Sequence, residues 1–401
     1  MARKKPALKN IDRRFSDVLI CRAMPSGSLT VRMVESRADH RAFCEFPYQL
    51  YRGKSNWVPP LRRTENERWS AAHNDSLRAR VVRRFMVSRD GQTLGRIAAI
   101  VDEAFASRWE PGAGFFGFFE CVDDWEVCAQ LLEQAHASLR SEGRRCVYGP
   151  VNLSTHEEVG LLVDGFDVRP MILTPHNPPY YAALLERAGY AAHLELYSYL
   201  WTPEREQAPA VKRLLRAAAR RSGSQGGFLI RSFDAKRWET ENDKIWKLFN
   251  ACFEDLWGFV PLSRREYAER AENFRKFYRP EMALIAEAGG VPIGFGLALP
   301  DINEVLAHMG GSLWPFGLIR LIREIPRIRA ARFILLGVLP EFRGRGVAAL
   351  IAARMGDVML RHKIERVEVS LVQAGNQRMQ RVIEAFGCLK IKTFRLFKKS
   401  L

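Results

Sequence analysis

Short apolar runs and alternating apolar and polar positions recur in the same order in both halves of the chain. Arg84–Val101 reads as a strand, a turn at Asp90-Gly91 and a second strand, and Met282–Leu299 repeats that hairpin pattern. A further strand and then a helix follow each hairpin, with helical spacing of apolar residues over Trp125–Ser141 in the first half and Val347–Leu360 in the second. Each half then closes on a helix stopped by glycine, Tyr181 to Gly189 and Gln380 to Gly387. Strands are also predicted at Arg145–Tyr148, Phe333–Val338, Arg366–Val372 and Lys390–Phe397. Self-similarity at this long period predicts two tandem copies of one α/β fold, each with a mixed sheet. The expected boundaries are a basic tail over 1–28, a first domain over 29–203, and a second over 204–401 with an insertion at about 305–332.

The copies differ where the central strand meets its helix. In the second, Phe333–Val338 runs through Leu339-Pro-Glu-Phe-Arg343-Gly344-Arg345-Gly346 into the helix at Val347 and Ala348. The unpaired N–H groups of a first helical turn, the helix dipole and two guanidinium groups there suit a diphosphate. Gly344 and Gly346 permit positive φ and a close approach of backbone to ligand. The first copy has Glu120, Asp123 and Asp124 at the corresponding place. Carboxylates cap a helix but repel a diphosphate, so this copy is expected not to bind one.

The order Arg343-x-x-Gly346-x-Ala348, after a strand and opening a helix, resembles the Arg/Gln-x-x-Gly-x-Gly/Ala pattern of the GCN5-related N-acyltransferases (GNAT). The resemblance implies that Arg343, Gly344, Arg345, Gly346, Val347 and Ala348 hold the pyrophosphate of an acyl-coenzyme A co-substrate. It also implies that backbone at Val338 faces the thioester carbonyl and that Asn376 meets the pantetheine arm. From about Arg84 onward the chain is similar to tandem GNAT proteins, most of all the bacterial ceramide synthases. Gly149-Pro-Val-Asn152, Asn177-Pro-Pro-Tyr-Tyr181, Leu299-Pro-Asp-Ile-Asn-Glu304 and Trp314-Pro-Phe-Gly317 carry that likeness. It implies transfer of a fatty acyl group to the amine of a sphingoid long-chain base. The alternatives are a small-molecule or protein N-acetyltransferase, an aminoacyl-tRNA-dependent transferase, and a non-catalytic acyl-coenzyme A sensor.

With 401 residues, 47% of them hydrophobic, the chain can build two cores. Its net charge of +17 calls for a negative partner. Trp314–Arg332 interleaves apolar residues with Arg320, Arg323, Arg327, Arg329 and Arg332, a composition that fits either an anionic membrane surface or a core helix with a basic wet face. Aromatics on a strand face beside basic residues, which RNA binding would want, are missing, so no nucleic-acid partner is expected. There is no run of about 18 apolar residues to span a bilayer. The seven scattered cysteines read as reduced thiols, and no histidine pairs with them at metal-ligand spacing, so neither a disulfide framework nor a metal is expected. Together these predict a cytoplasmic protein, peripheral on the inner face of the cytoplasmic membrane.

Forming an amide from a thioester needs a base, an oxyanion donor and an acid for the thiolate. The long loop between Tyr148 and Tyr181 concentrates polar groups, among them Asn152, His156, Glu157, Glu158 and His176, and is a candidate acceptor site. Candidate bases are Glu304, which alternatively belongs to a capping box for a helix at Val305–Met309, and His176, which alternatively serves as a hydrogen-bonding residue. Where the family carries a tyrosine as thiolate acid this chain has Ile383, which leaves Tyr180 or Tyr181 as the proton source, or none.

Overall fold

The computed structural model describes residues 27–54, 56–204, 209, 213, 227–314 and 317–401. The expected basic tail up to residue 26, the stretch just after the expected domain boundary, and Pro315 and Phe316 lie outside these residues.

In the first half, β1 (Thr30–Met33) and α1 (Arg37–Leu50) precede the hairpin β2 (Val81–Arg89) and β3 (Gln92–Val101). Asp90 and Gly91 both have positive φ, 50° and 78°, which fits the tight hairpin turn. Then come β4 (Ala113–Cys121), α2 (Trp125–Ser141), β5 (Cys146–Gly149), β6 (Leu161–Asp164), α3 (Tyr181–Arg187) and β7 (Ala191–Trp201). The second half has β8 (Phe228–Ser232), α4 (Trp238–Phe253), α5 (Arg264–Arg275), the hairpin β9 (Ala283–Ala288) and β10 (Val291–Pro300), and α6 (Gly317–Glu324). It ends with β11 (Ala330–Val338), α7 (Val347–Arg361), β12 (Arg366–Gln373), α8 (Gln377–Ala385) and β13 (Leu389–Ser400).

All these strands join one mixed sheet in the order β1-β2-β3-β4-β5-β13-β7-β12-β11-β10-β9-β8, with β6 on β13. The two final strands are exchanged. β13 lies antiparallel between β5 and β7, pairing Phe397 with Gly149, while β7 lies antiparallel on β12, pairing Val369 with Tyr199. Each half therefore takes its last strand from the other, and neither leaves an open sheet edge at the junction. Helices cover both faces: α2 and α7 bury Leu131 and Ile351 on one, and α4 buries Phe249 on the other.

Two places in the sheet come apart. β11 and β12 run parallel only from Ala330–Arg366 to Phe333–Val369; beyond that β11 stays on β10 and β12 on β7. Leu335 opposes Leu297 while Phe333 opposes Ala298, so Ile334 is an extra residue that bends β11 at the fork. β4 and β5 part in the same way after Phe115–Tyr148. That first fork is plugged by backbone: Val151 N–H donates to Phe116 O at 2.8 Å, and Phe118 N–H donates to Asn152 Oδ1 at 2.7 Å. Gly117 is needed for the plug, because a Cβ there would sit 2.1 Å from Val151 O.

Candidate active site

The open fork of the second half leads to the glycine turn. Gly344 has φ +76°, and Gly346, at φ +89° and ψ 0°, is the N-cap of α7 with no side-chain cap. The first intrahelical bond runs from Leu350 N to Gly346 O at 3.0 Å, so the N–H groups of Val347, Ala348 and Ala349 have no acceptor within the helix. Arg343 turns back into the fold: its Nε donates to Val338 O at 3.1 Å and its Nη2 to Cys252 O at 2.8 Å. It thereby ties the end of β11 to the end of α4. Arg345 is exposed and stacks on Phe342 at 5.2 Å. In the first copy a carboxylate stands at the same place: Asp124 itself caps α2, accepting from Glu126 N at 2.8 Å. Glu120, expected at that helix entrance, instead turns toward Tyr51 and Tyr181, where burial pushes its carboxyl up to about 7. There its Oε2 accepts from Tyr51 OH at 2.7 Å and Tyr181 OH at 2.8 Å.

A cavity of about 500 Å³ occupies the open fork. Its walls come from α4, α5, α7 and α8, from β7, β10, β11 and β12, and from the first-half loop at Thr155–Val159. Asn376 lines it while capping α8 through Met379 N at 3.2 Å, and Ile383 lines it further along that helix. His156 donates from Nε2 to Val260 O at 2.6 Å, which leaves Nδ1 as the nitrogen with a lone pair. That nitrogen has no protein partner among the described residues. Burial, and then the charge of Arg270, push this imidazole down to about 3, so it is neutral at physiological pH. Glu157 pairs with Arg270 at 3.2 Å; Glu158 accepts from Asn152 Nδ2 at 2.6 Å. Both residues line the cavity.

The three catalytic candidates chosen from sequence line no part of this cavity. Tyr181 is fully buried; its hydroxyl donates to Glu120 and accepts from Cys121 N at 2.8 Å, and burial raises it well above the usual phenol range. His176 sits 5.9 Å from the Tyr51 ring, with Nδ1 buried and unpartnered; burial pushes its imidazole down to about 4. Glu304 is separate from both: its Oε2 accepts from Arg329 N at 3.0 Å and its Oε1 meets Arg366 Nη2 at 3.0 Å. The capping box expected for Glu304 is absent as well. The short helix is Asn303–Leu306, without a side-chain cap, and Asp301 instead accepts from Ile172 N at 2.8 Å. The reason is common to all three: a tyrosine, histidine or glutamate that satisfies the packing of two docked halves has the same local sequence as one that faces a ligand. His156, Glu157 and Glu158 were visible only as members of a polar loop.

Residues 242–388 match the profile of the acetyltransferase (GNAT) family. The chain is 32% identical over 380 residues to Protein YghO of Escherichia coli, covering 92% of this chain and 95% of that protein. It is 30% identical over 383 residues to a bacterial ceramide synthase of Caulobacter vibrioides, covering 94% and 98% respectively. The chain belongs to the GNAT family. Members of this family transfer acyl groups from acyl-coenzyme A, as co-substrate, to amines. Among solved structures, the fold is shared with a GCN5-related N-acetyltransferase from Sphaerobacter thermophilus, with a TM-score of 0.54 at 12% identity over 93% of this chain and 95% of that one. It is also shared with a tandem GNAT protein from the clavulanic acid biosynthesis pathway, with a TM-score of 0.51 at 13% identity over 93% and 98%. The two halves are accordingly tandem GNAT copies, fused here through exchanged strands.

Proposed function

We propose that this GNAT protein transfers a fatty acyl group from acyl-coenzyme A to the amine of a long-chain base of the sphingoid type. The observation that carries the reading is the large, mostly apolar cavity in the fork, whose α4 wall ends at Phe253, next to the Cys252 carbonyl that Arg343 of the glycine turn holds. An acetyl group needs no such space, whereas burying a hydrocarbon chain contributes about 0.8 kcal/mol per methylene. The similarity to a protein named bacterial ceramide synthase supports the same substrate class.

In this mechanism the pyrophosphate lies on the N–H groups of Val347 and Ala348, with Gly344, Gly346 and the Arg345 guanidinium around it. Arg343 holds the turn in place, and Asn376 meets the pantetheine arm. Backbone N–H at Val338 or its neighbours, freed from β12 by the fork, donates to the developing oxyanion. The amine arrives past Glu157 and Glu158, whose negative charge favours an ammonium. Its neutral form is oriented by a hydrogen bond to His156 Nδ1. Nitrogen attacks the thioester carbon, the amine proton passes to the His156 and glutamate cluster, the C–S bond breaks, and the cluster returns that proton to the departing thiolate, so that coenzyme A leaves as its thiol. Neither Tyr181 nor Glu304 takes part.

Both substrates carry long chains, and an anionic bilayer is the proposed docking surface. Trp314, Leu318, Ile319 and Ile322 are all more than half exposed, and α6 buries none of its residues. Arg320, Arg323 and Arg327 flank them, as an interfacial helix requires. Among the described residues no helix is long and apolar enough to cross a membrane. The test of the reaction is mass spectrometry of purified protein with a panel of acyl-coenzyme A donors and amines. A fatty amide of a long-chain base is expected; transfer of acetyl groups alone would overturn the reading.

A further inference from the structure

The part of the cavity between α4 and α5 has a shape that the reaction alone does not require. On α4 the lining residues are Trp238, Asn242, Ile245, Phe249 and Phe253, spaced four, three, four and four apart. They form one stripe along the whole helix, about 22 Å by helical rise. Tyr267, Ala271 and Phe274 make the facing stripe on α5. The amide of Asn242 is turned back onto its own helix, donating to Trp238 O at 2.9 Å, and the other four residues of the stripe are apolar or aromatic.

The slot has two different ends. One lies beside the glycine turn, because Arg343 reaches Cys252 O at the end of α4 and Phe253 lies 6.1 Å from Phe295 on β10. At the other end three rings meet edge to face: Phe233 and Trp238 at 5.3 Å, Trp238 and Tyr278 at 5.1 Å, Phe233 and Tyr278 at 6.0 Å. Arg275 stacks 4.9 Å from Trp238 and backs that wall.

We infer that this slot holds the acyl chain of the donor, and that Phe233, Trp238 and Tyr278 are the stop that sets the longest chain accepted. The inference rests on the fatty-acyl reading above and adds to it which chain lies where. The donor is assigned because the slot opens where the thioester would lie, whereas the acceptor side of the cavity is walled by the polar loop at Thr155–Glu158. A chain that reaches the rings has no room for a further methylene without displacing a three-ring cluster. A shorter chain forgoes about fourfold in affinity for each methylene not buried.

Two variants with opposite consequences test this. Trp238→Ala removes the stop, and Ala271→Phe obstructs the slot midway. Rates are measured with one long-chain amine and a series of saturated acyl-coenzyme A donors, and then with one donor and amines of varied length. Trp238→Ala is expected to move the donor optimum to longer chains by two or more carbons, and Ala271→Phe to shorter ones, with the amine profile unchanged in both. General damage to the fold lowers all rates together and cannot move the optimum in opposite directions. If both variants keep the wild-type donor optimum, or if the amine profile shifts instead, the slot assignment is wrong although fatty acyl transfer stands. If the wild type transfers no fatty acyl group from any donor, the underlying reading falls with it.

Discussion

Replacing His156 by glutamine tests both the electrostatics of the cavity and the role given to this side chain. Its imidazole lies at about 3 in the folded protein, against about 6.5 for an unperturbed histidine. Burial is the main cause and the Arg270 guanidinium the second. The unfolded chain therefore binds the proton first on acidification, so the stability contributed by neutral His156 is complete above about pH 6.5 and is lost as pH falls toward 3. Between pH 8 and pH 5 the unfolded state gains about 1.5 pH units of proton binding that the folded state does not, worth about 2 kcal/mol. Glutamine retains an N–H for the Val260 carbonyl but cannot titrate. Urea denaturation followed by tryptophan fluorescence at both pH values should show the wild type losing about 2 kcal/mol more than His156→Gln over that interval. His136 and His176, each pushed by burial to about 4, are present in both proteins and cancel in the comparison. The same variant should lower kcat at least tenfold and leave acyl-coenzyme A affinity unchanged, since the lone pair of Nδ1 is offered to the amine and not to the donor. Equal acid sensitivity in the two proteins would refute the buried, neutral imidazole; equal turnover would remove His156 from the mechanism.

Gly346→Val places a β-branched side chain at φ +89°, at a strain of at least about 1–2 kcal/mol, and obstructs the N–H groups of the α7 entrance. Calorimetry with coenzyme A should show affinity reduced more than tenfold, and unchanged binding would remove the anion site from this turn. Glu304→Gln should leave turnover within twofold of wild type, because the carboxyl is held by Arg329 and Arg366 away from the cavity; a large loss of kcat at constant donor affinity would reinstate it as a base. Reversing Arg320, Arg323 and Arg327 to glutamate should abolish salt-sensitive flotation with anionic liposomes, and undiminished flotation would return α6 to a purely structural role. A chain ending at residue 203 lacks β13 and leaves β5 and β7 without their shared partner; it should be insoluble alone and recovered on co-expression with 204–401, and a soluble, monomeric first half would contradict the strand exchange.

Local chemistry was enough to determine the elements and the form of the glycine turn. The hairpin at Asp90-Gly91 follows from two residues that tolerate positive φ, the helix over Trp125–Ser141 from apolar spacing and an aspartate cap, and the α7 entrance from Gly344 and Gly346. The aspartate cap of the first copy's helix was also legible, since Asp124 needs only its own helix to act as a cap. Partners chosen across long sequence distances were not legible. Nothing in the pattern of Ala191–Trp201 or Leu389–Ser400 says that each strand pairs into the other half, because alternation specifies which face of a strand is buried and not which edge it joins. The slot was hidden for a related reason: Trp238, Ile245, Phe249 and Phe253 have the spacing of any core stripe, and only the parting of β11 from β12 leaves space in front of them. His176 and Tyr181 have the residue types of catalysis but are turned into the packed first half, while His156, in the same loop, is aimed by the Val260 carbonyl into the cavity. Tertiary structure decided among them because a side chain's chemistry depends on what desolvates it and which of its polar atoms remain unpaired, and both are set by residues distant in sequence: Val260 and Arg270 for His156, Glu120 and Cys121 for Tyr181.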